Sequence, residues 1–393
     1  MELEILKERE IELVKEGNIT SLSIGNYTYS NNQFQSYLAV ATSSGKIYLI
    51  KEDEIYTILT QNSRPITCLT TGYFSKGKKL QDLACSDNQG EVIIYSNLEI
   101  IAKHQSNENI LSLYFDNDNY GSSTCLLTGS ILGKFSSYSQ NSRLWRQPIF
   151  DQRNILDEYK QENTIIKENS NQIQQIYQIS LKNEFGLIIN YHCIINNTNV
   201  VYFYCKNVFI FEIKFAKSIT WVCTSYFGVI NETRSEPISL FASSLGDIYY
   251  LDSYRKPQLY MKTKLDIVKI VAYRPHLLNY NQASLLIIQS QSQSLNFYYE
   301  KQCIHSIDFN TRIIDCVVGN LLSYQSSKNI QLELLQYKFN NENENENGLK
   351  RKNINEDNLE EIRYDKSEGP NVVIALDNGI IHTLFCSIKK VTV

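Results

Sequence analysis

Residues 66 to 95, ITCLTTGYFSKGKKLQDLACSDNQGEVIIY, carry the reading of the fold. A β-branched run from Ile66 leads to Gly72, Tyr73 and Phe74. A polar loop follows, then the apolar run Leu83 to Cys85, a turn through Gly90, and a third apolar run ending at Tyr95. β-Branched and aromatic side chains pack well on a pleated, half-buried surface, and glycine supplies the positive φ of a tight turn. The stretch therefore reads as three consecutive strands, too short to bury their own faces.

The unit recurs. Upstream, ITSLSIGNY from Ile19 and YLAVATSSGKIYLI through Gly45 repeat both ends, and only the loop between them differs in length. Downstream, openings stand at Ile110 (ILSLYF), Ile219 (ITWVCTSYF), Val268 (VKIVAY) and Ile313 (IIDCVVG). Successive openings are 47 and 44 residues apart in the N-terminal group and 49 and 45 in the C-terminal one. A four-stranded propeller blade, with strands of five or six residues and short turns, occupies about 40 to 45 residues. The 109 residues between Ile110 and Ile219 hold two blades and an insertion, with the missing opening near Ile176 in QIQQIYQISL. The turn glycine returns as Gly246 and Gly379, whereas the sixth unit has polar SQSQS before Leu295. The sequence thus predicts an all-β, WD40-like but degenerate seven-bladed β-propeller spanning residues 1–393.

Two segments break the pattern. Residues 150–171 are polar without strand alternation and read as a surface insertion. Residues 340–369 (NNENENENGLKRKNINEDNLEEIRYDKSEG) are too poor in apolar groups to offset the entropy of ordering, so a disordered loop within the last blade is expected. Its basic run Lys350 to Lys352 reads as a solvated linker, with a nuclear signal or docking peptide as the rival. Closure of the ring falls to an N-terminal strand in EREIELVKEG, Glu8 to Gly17, against the alternative of a short amphipathic helix over Leu3, Ile5 and Leu6.

Composition narrows the function. The 38 basic and 42 acidic residues are scattered, giving a net charge of −4 and no electrostatic footprint for nucleic acid. Met1 to Glu16 carries charges where a signal peptide needs an apolar core, and no apolar run approaches bilayer length, so a cytoplasmic protein without stable membrane insertion is expected. The nine cysteines are odd in number, spread out and without a C-x-x-C pair, which fits small buried hydrophobes better than disulfides.

Candidate chemistry is sparse. Asp116 and Asp118 in FDNDNYG resemble the start of an oxygen-rich calcium loop, but Tyr120 stands at the third ligand position and no bidentate glutamate follows, which favours a solvated turn. His192 with Cys193, and Cys303 with His305, each offer two metal ligands where structural zinc takes four. Nucleophile-elbow, dinucleotide and P-loop motifs are absent, so neither catalysis nor a cofactor is expected. Trp145, flanked by Arg143 and Arg146, is the better candidate for partner binding, because Trp and Arg are enriched at interaction hot spots; Trp221 reads as core.

The second unit resembles the integrin-alpha (FG-GAP) propeller repeat: Gly72 and Phe74 match its Gly and Phe, and Gly90 its turn. Tyr73 replaces the usual Asp, and Ser75 to Lys79 carries no carboxylate, so the calcium binding the family implies lacks its ligands here. The chain is similar to the propeller of the KICSTOR nutrient-sensing scaffold and to those of the BBSome ciliary cargo coat. Those resemblances imply a non-enzymatic scaffold in an intracellular multiprotein complex, for nutrient signalling or, alternatively, for ciliary or vesicle trafficking. A propeller enzyme or ligand-binding protein with its site at the central channel is the remaining alternative.

Overall fold

A computed structural model gives the architecture and describes residues 2–13, 17–30, 33–51, 54–60, 63–74, 80–116, 124–149, 172–182, 187–227, 237–274, 283–319, 321 and 371–389. The insertions expected at 150–171 and 340–369 lie outside them, as do Asp118 and Lys350 to Lys352. The described strands form seven antiparallel four-stranded sheets, and no helix occurs among the described residues. Six blades are each built from one continuous stretch, for example blade 2 from 66–72, 82–87, 91–96 and 99–105.

The first strands start at Ile19, Ile66, Ile110, Gln175, Ile219, Ile267 and Ile313 and follow one another around the centre. The expected openings are therefore met, with two refinements. In blade 6 the equivalent residue is Ile267 rather than Val268. In blade 4 it is Ile173 rather than Ile176: the Ile173 N–H donates to the Ser130 carbonyl (3.1 Å), just as Ile219 N–H donates to Thr198 (2.8 Å) and Ile267 N–H to Ser244 (3.1 Å).

Blade 7 joins residues 313–319, 371–376 and 380–389 with an N-terminal strand, Glu2–Glu12, as its outer member. Closure by an N-terminal strand is as the alternation predicts, but the strand begins earlier than Glu8. A helix over Leu3 and Ile5 is overturned, because both lie in ladder register with Ile388 and Cys386, and Leu3 is buried between blades 6 and 7. Pairing with the last blade satisfies the strand's backbone groups and covers an edge that would otherwise be exposed.

The core is divided among seven apolar wedges, one between each pair of neighbouring blades. Tyr27, Leu49, Leu83 and Ile93 fill the wedge between blades 1 and 2, and Leu13, Leu22, Val373 and Ile381 close the circle between blades 7 and 1. A middle strand has a wedge on each face, so 82–87, 125–130, 285–290 and 371–376 are buried at every position. That is why they read as continuous runs rather than as an alternation.

The turns between second and third strands hold left-handed residues: Gly45, Gly90, Gly133, Gly246 and Gly379 have φ between +72° and +85°. In the sixth blade, where the sequence lacks glycine, Gln293 takes this conformation at φ +67°.

Candidate interaction face and the inner ring

The first strand of each blade has a free edge toward the centre, so some of its backbone N–H groups have no ladder partner. Neighbouring blades supply partners from one recurrent position. A β-bulge follows the opening residue in six of the seven first strands, between Ile19/Ser21, Ile66/Cys68, Ile110/Ser112, Ile219/Trp221, Ile267/Lys269 and Ile313/Asp315. The side chain just after the bulge, and Gln175 at the same place in blade 4, meets the next blade.

Ser21 Oγ accepts from Leu69 N–H (3.3 Å), and Ser112 Oγ from Ile176 N–H (2.9 Å). Cys68 Sγ donates toward the Ile110 carbonyl (3.7 Å). Gln175 accepts from Val222 N–H (2.8 Å) and donates to its carbonyl (3.1 Å). Lys269 Nζ lies 5.0 Å from the Trp221 ring centroid and donates to Asp315 Oδ1 (2.6 Å), and Asp315 Oδ2 accepts from Leu22 N–H (2.9 Å), completing the circuit. Trp221, expected in the core, is thus half-buried on the inner ring. The ring uses six different residue types at its seven equivalent places, which hides it from any search for a repeated motif.

Among the described residues the first strands carry no histidine; His104, His192, His305 and His382 stand on second, third or fourth strands. Asp315, the acid of the inner ring after the bulge, is committed to Lys269 and Leu22.

The candidate site residues are dispersed. Asp116, at the end of the first strand of blade 3, is buried, and its Oδ1 lies 3.1 Å from His192 Nε2 across the boundary with blade 4. Asp116 thus forms an inter-blade polar pair, while Asp118 and the rest of that loop lie outside the described residues. Cys193 is fully buried beside His192, on the opposite face of the same strand. Cys303 donates to the His305 carbonyl (3.5 Å).

Around Trp145, the indole packs edge-on against Phe135 (centroids 4.9 Å apart) and is partly buried, whereas Arg143 and Leu144 are exposed. Arg146 reaches across to Glu108, which also binds Lys134 Nζ (2.7 Å) and Ser130 Oγ (2.7 Å). Burial pushes the Glu108 carboxyl up, but the bonds from Lys134 and Ser130 and the charge of Arg146 together outweigh it and hold it below the ordinary range. Of the three residues, Arg143 remains directed to solvent, and Arg146 serves the boundary between blades 2 and 3.

Exposed apolar side chains are distributed unevenly between the two faces of the ring. One face carries the loops joining first to second strands and third to fourth strands. At or near it lie Tyr29, Ile55, Tyr56, Leu187, Val208 and Tyr254, together with most of the other exposed large hydrophobics among the described residues. The opposite face, with the second-to-third turns and the connections between blades, has Leu132, Leu245 and Val268.

Two places on the first face stand out. In blade 4, Leu187 (63% exposed) and Ile188 share one end of the blade with Val208 and Phe209. In blade 1 the first strand runs 12 residues against 7 in blade 2, so its hairpin extends about 16 Å farther at ~3.3 Å per residue. It bears Tyr29 directly opposite Phe34, with ring centroids 5.0 Å apart. Tyr56 packs at 5.0 Å against Tyr37 of the same hairpin. Sequence patterning missed these residues because a single exposed Leu or Tyr carries no signal; the grouping exists only once the blades are arranged in a ring.

No helix among the described residues is long and apolar enough to cross a membrane. No protein-family model matches the chain, and no curated protein does. Solved structures do. Two crystal structures of BBS1N in complex with ARL6DN align with TM-scores of 0.60 and 0.62, at 9% and 8% identity, covering 96% and 98% of this chain and 95% and 97% of theirs. The computationally designed Ika8 protein aligns at 0.50 and 8% identity, over 95% of this chain and 98% of its own. At such identities the likeness is one of fold. The chain is a seven-bladed β-propeller, and the expected resemblance to BBSome propellers is met at the level of fold.

Proposed function

We propose that the chain is a non-enzymatic protein-interaction scaffold, an adaptor subunit of a multiprotein complex, which docks partners on the face bearing Leu187, Val208, Tyr254 and the blade 1 hairpin. The observation that carries this reading is the concentration of exposed apolar side chains on one face of a ring whose inner polar groups are taken up in holding its blades together. Exposed Leu, Phe and Tyr lose free energy to water that a partner surface recovers, at roughly 25 cal/mol per Å² buried. Arg143 and Trp145 belong to this reading as a secondary contact.

Between the two assemblies considered, the trafficking-coat reading is favoured over nutrient signalling, because BBS1N is a structural neighbour and its crystals contain a second protein, ARL6DN. A site for chemistry or ligand binding at the channel is the weaker alternative: among the described inner-ring residues, Gln175, Lys269 and Asp315 are engaged between blades. A cytoplasmic location, which the nine widely spread cysteines without a C-x-x-C pair fit, and the absence of nucleic-acid partners, which the scattered charge fits, are part of the proposal.

The test is quantitative co-purification with the tagged chain, comparing wild type with Leu187→Glu/Val208→Glu and with Tyr29→Ser/Tyr254→Ser, and with residues 340–369 deleted. At least one face variant should lose a stoichiometric partner while keeping the wild-type melting temperature. Recovery as a solitary monomer, or partners unchanged in both face variants, refutes the reading.

A further inference from the structure

We propose that Glu8, Glu10 and His382 form a binding site for a divalent transition-metal ion of the zinc class, placed across the seam where the N-terminal strand closes the ring. Glu8 and Glu10 are two residues apart on that strand and so project to the same side of the sheet. His382 sits on the neighbouring strand directly opposite Glu10. His382 Nδ1 lies 2.8 Å from Glu8 Oε1 and 3.5 Å from Glu10 Oε1, and one ligand atom from each residue falls within 4.8 Å of the others. Bonds of ~2.0–2.2 Å in tetrahedral geometry set ligand atoms about 3.4 Å apart, so carboxylate rotations alone complete the site.

The surroundings suit an ion. The imidazole is nine-tenths buried, packed edge-on against Phe309 with centroids 5.3 Å apart, and its Nδ1 points at the two carboxylates. The carboxylates are 47% and 62% exposed, leaving an entry path and room for a water ligand. Two like charges on one side of a strand repel, and a dication between them reverses that cost. Imidazole with two carboxylates is a donor set for zinc and its neighbours, whereas magnesium and calcium select oxygen shells. Because the ligands come from the first and last strands, the ion would link ring closure to metal concentration.

The inference goes beyond the scaffold reading and is tested on the full chain, with any histidine tag removed and after dialysis against EDTA. Calorimetric titration with ZnCl2 should give one site per chain, with MgCl2 silent, and the melting temperature should rise with zinc alone. Glu10→Gln leaves the His382–Glu8 contact in place and should weaken zinc binding at least tenfold. His382→Gln should abolish the zinc-dependent rise. Cys303→Ser, which removes the neighbouring Cys303/His305 pair from contention, should bind as wild type. The proposal is overturned by the absence of saturable zinc binding, by binding that Glu10→Gln leaves unchanged, by equal binding of magnesium, or by loss of binding in Cys303→Ser.

Discussion

Asp315→Ala is the most informative perturbation of the ring. Asp315 accepts from Lys269 Nζ at 2.6 Å on the preceding blade and from Leu22 N–H at 2.9 Å on the following one, so one carboxylate joins blades 6, 7 and 1. The Lys269 and Asp315 side chains are 15% and 14% exposed. Deleting one partner of a buried ion pair costs about 3–5 kcal/mol, because the other charge stays buried, and an orphaned backbone N–H alone costs about 1–3 kcal/mol. With some water access to both groups, a loss of about 3–5 kcal/mol is expected for the combined effect.

Lys269→Met/Asp315→Ala removes the stranded ammonium and leaves the orphaned Leu22 N–H, so the double variant should lose only about 1–3 kcal/mol. Equilibrium urea unfolding measures both, and fluorescence of Trp221, whose ring lies beneath Lys269, reports the ring locally. A loss under about 1 kcal/mol for Asp315→Ala, or a double variant less stable than the single one, would falsify the account of the inner ring.

Other expectations follow from single residues. Gly90→Ala should cost at least about 3 kcal/mol by thermal unfolding: φ is +80°, worth about 1–2 kcal/mol against an L residue, and the new Cβ would sit 2.1 Å from the Glu108 carbonyl oxygen, forcing backbone apart. Gln293→Gly relieves the same conformation and should stabilise by about 0.5–1 kcal/mol. Burial lowers the His104 pKa, a backbone bond with Ser139 offsetting part of this, so the native state binds a proton less readily than the unfolded chain. Stability should therefore fall as pH drops below the ordinary histidine value of about 6.5. His104→Gln should flatten that part of the stability–pH curve. Burial also pushes the thiols of Cys68 and Cys316 up to about 12, while Cys303 is exposed, so a thiol reagent should label Cys303 quickly and those two only after unfolding.

The legible part of the fold was what repeats. Ile19, Ile66, Ile110, Ile219 and Ile313 recur at blade spacing because each opens an inner strand in the same surroundings, and the turn glycines recur because each turn needs a left-handed residue. Blade 4 was legible only from its length. Its opening Ile173 precedes the strand, its inner strand lacks the bulge, and its turn uses Asn197 at φ +57° in place of glycine. The N-terminal strand was readable from alternation, but its start was not, because Leu3 and Ile5 suit a helix equally well until Ile388 and Cys386 provide a ladder.

The candidate sites fared differently, since their chemistry depends on neighbours distant in sequence. Asp116 meets His192, Arg146 meets Glu108, and Glu8 meets His382 across 374 residues. Strand periodicity says which side of a sheet a residue occupies, not which blade faces it.

By itself, then, the sequence determined the class of fold, the blade spacing, and the absence of familiar catalytic motifs, because these depend on local propensity and on repetition along the chain. Only the tertiary structure decided which face carries the exposed apolar side chains, how the inner ring passes from Ser21 round to Asp315, and what closes the circle. Those features arise when seven sheets are set side by side, so the interacting groups are fixed by the closure of the ring rather than by their order in the chain.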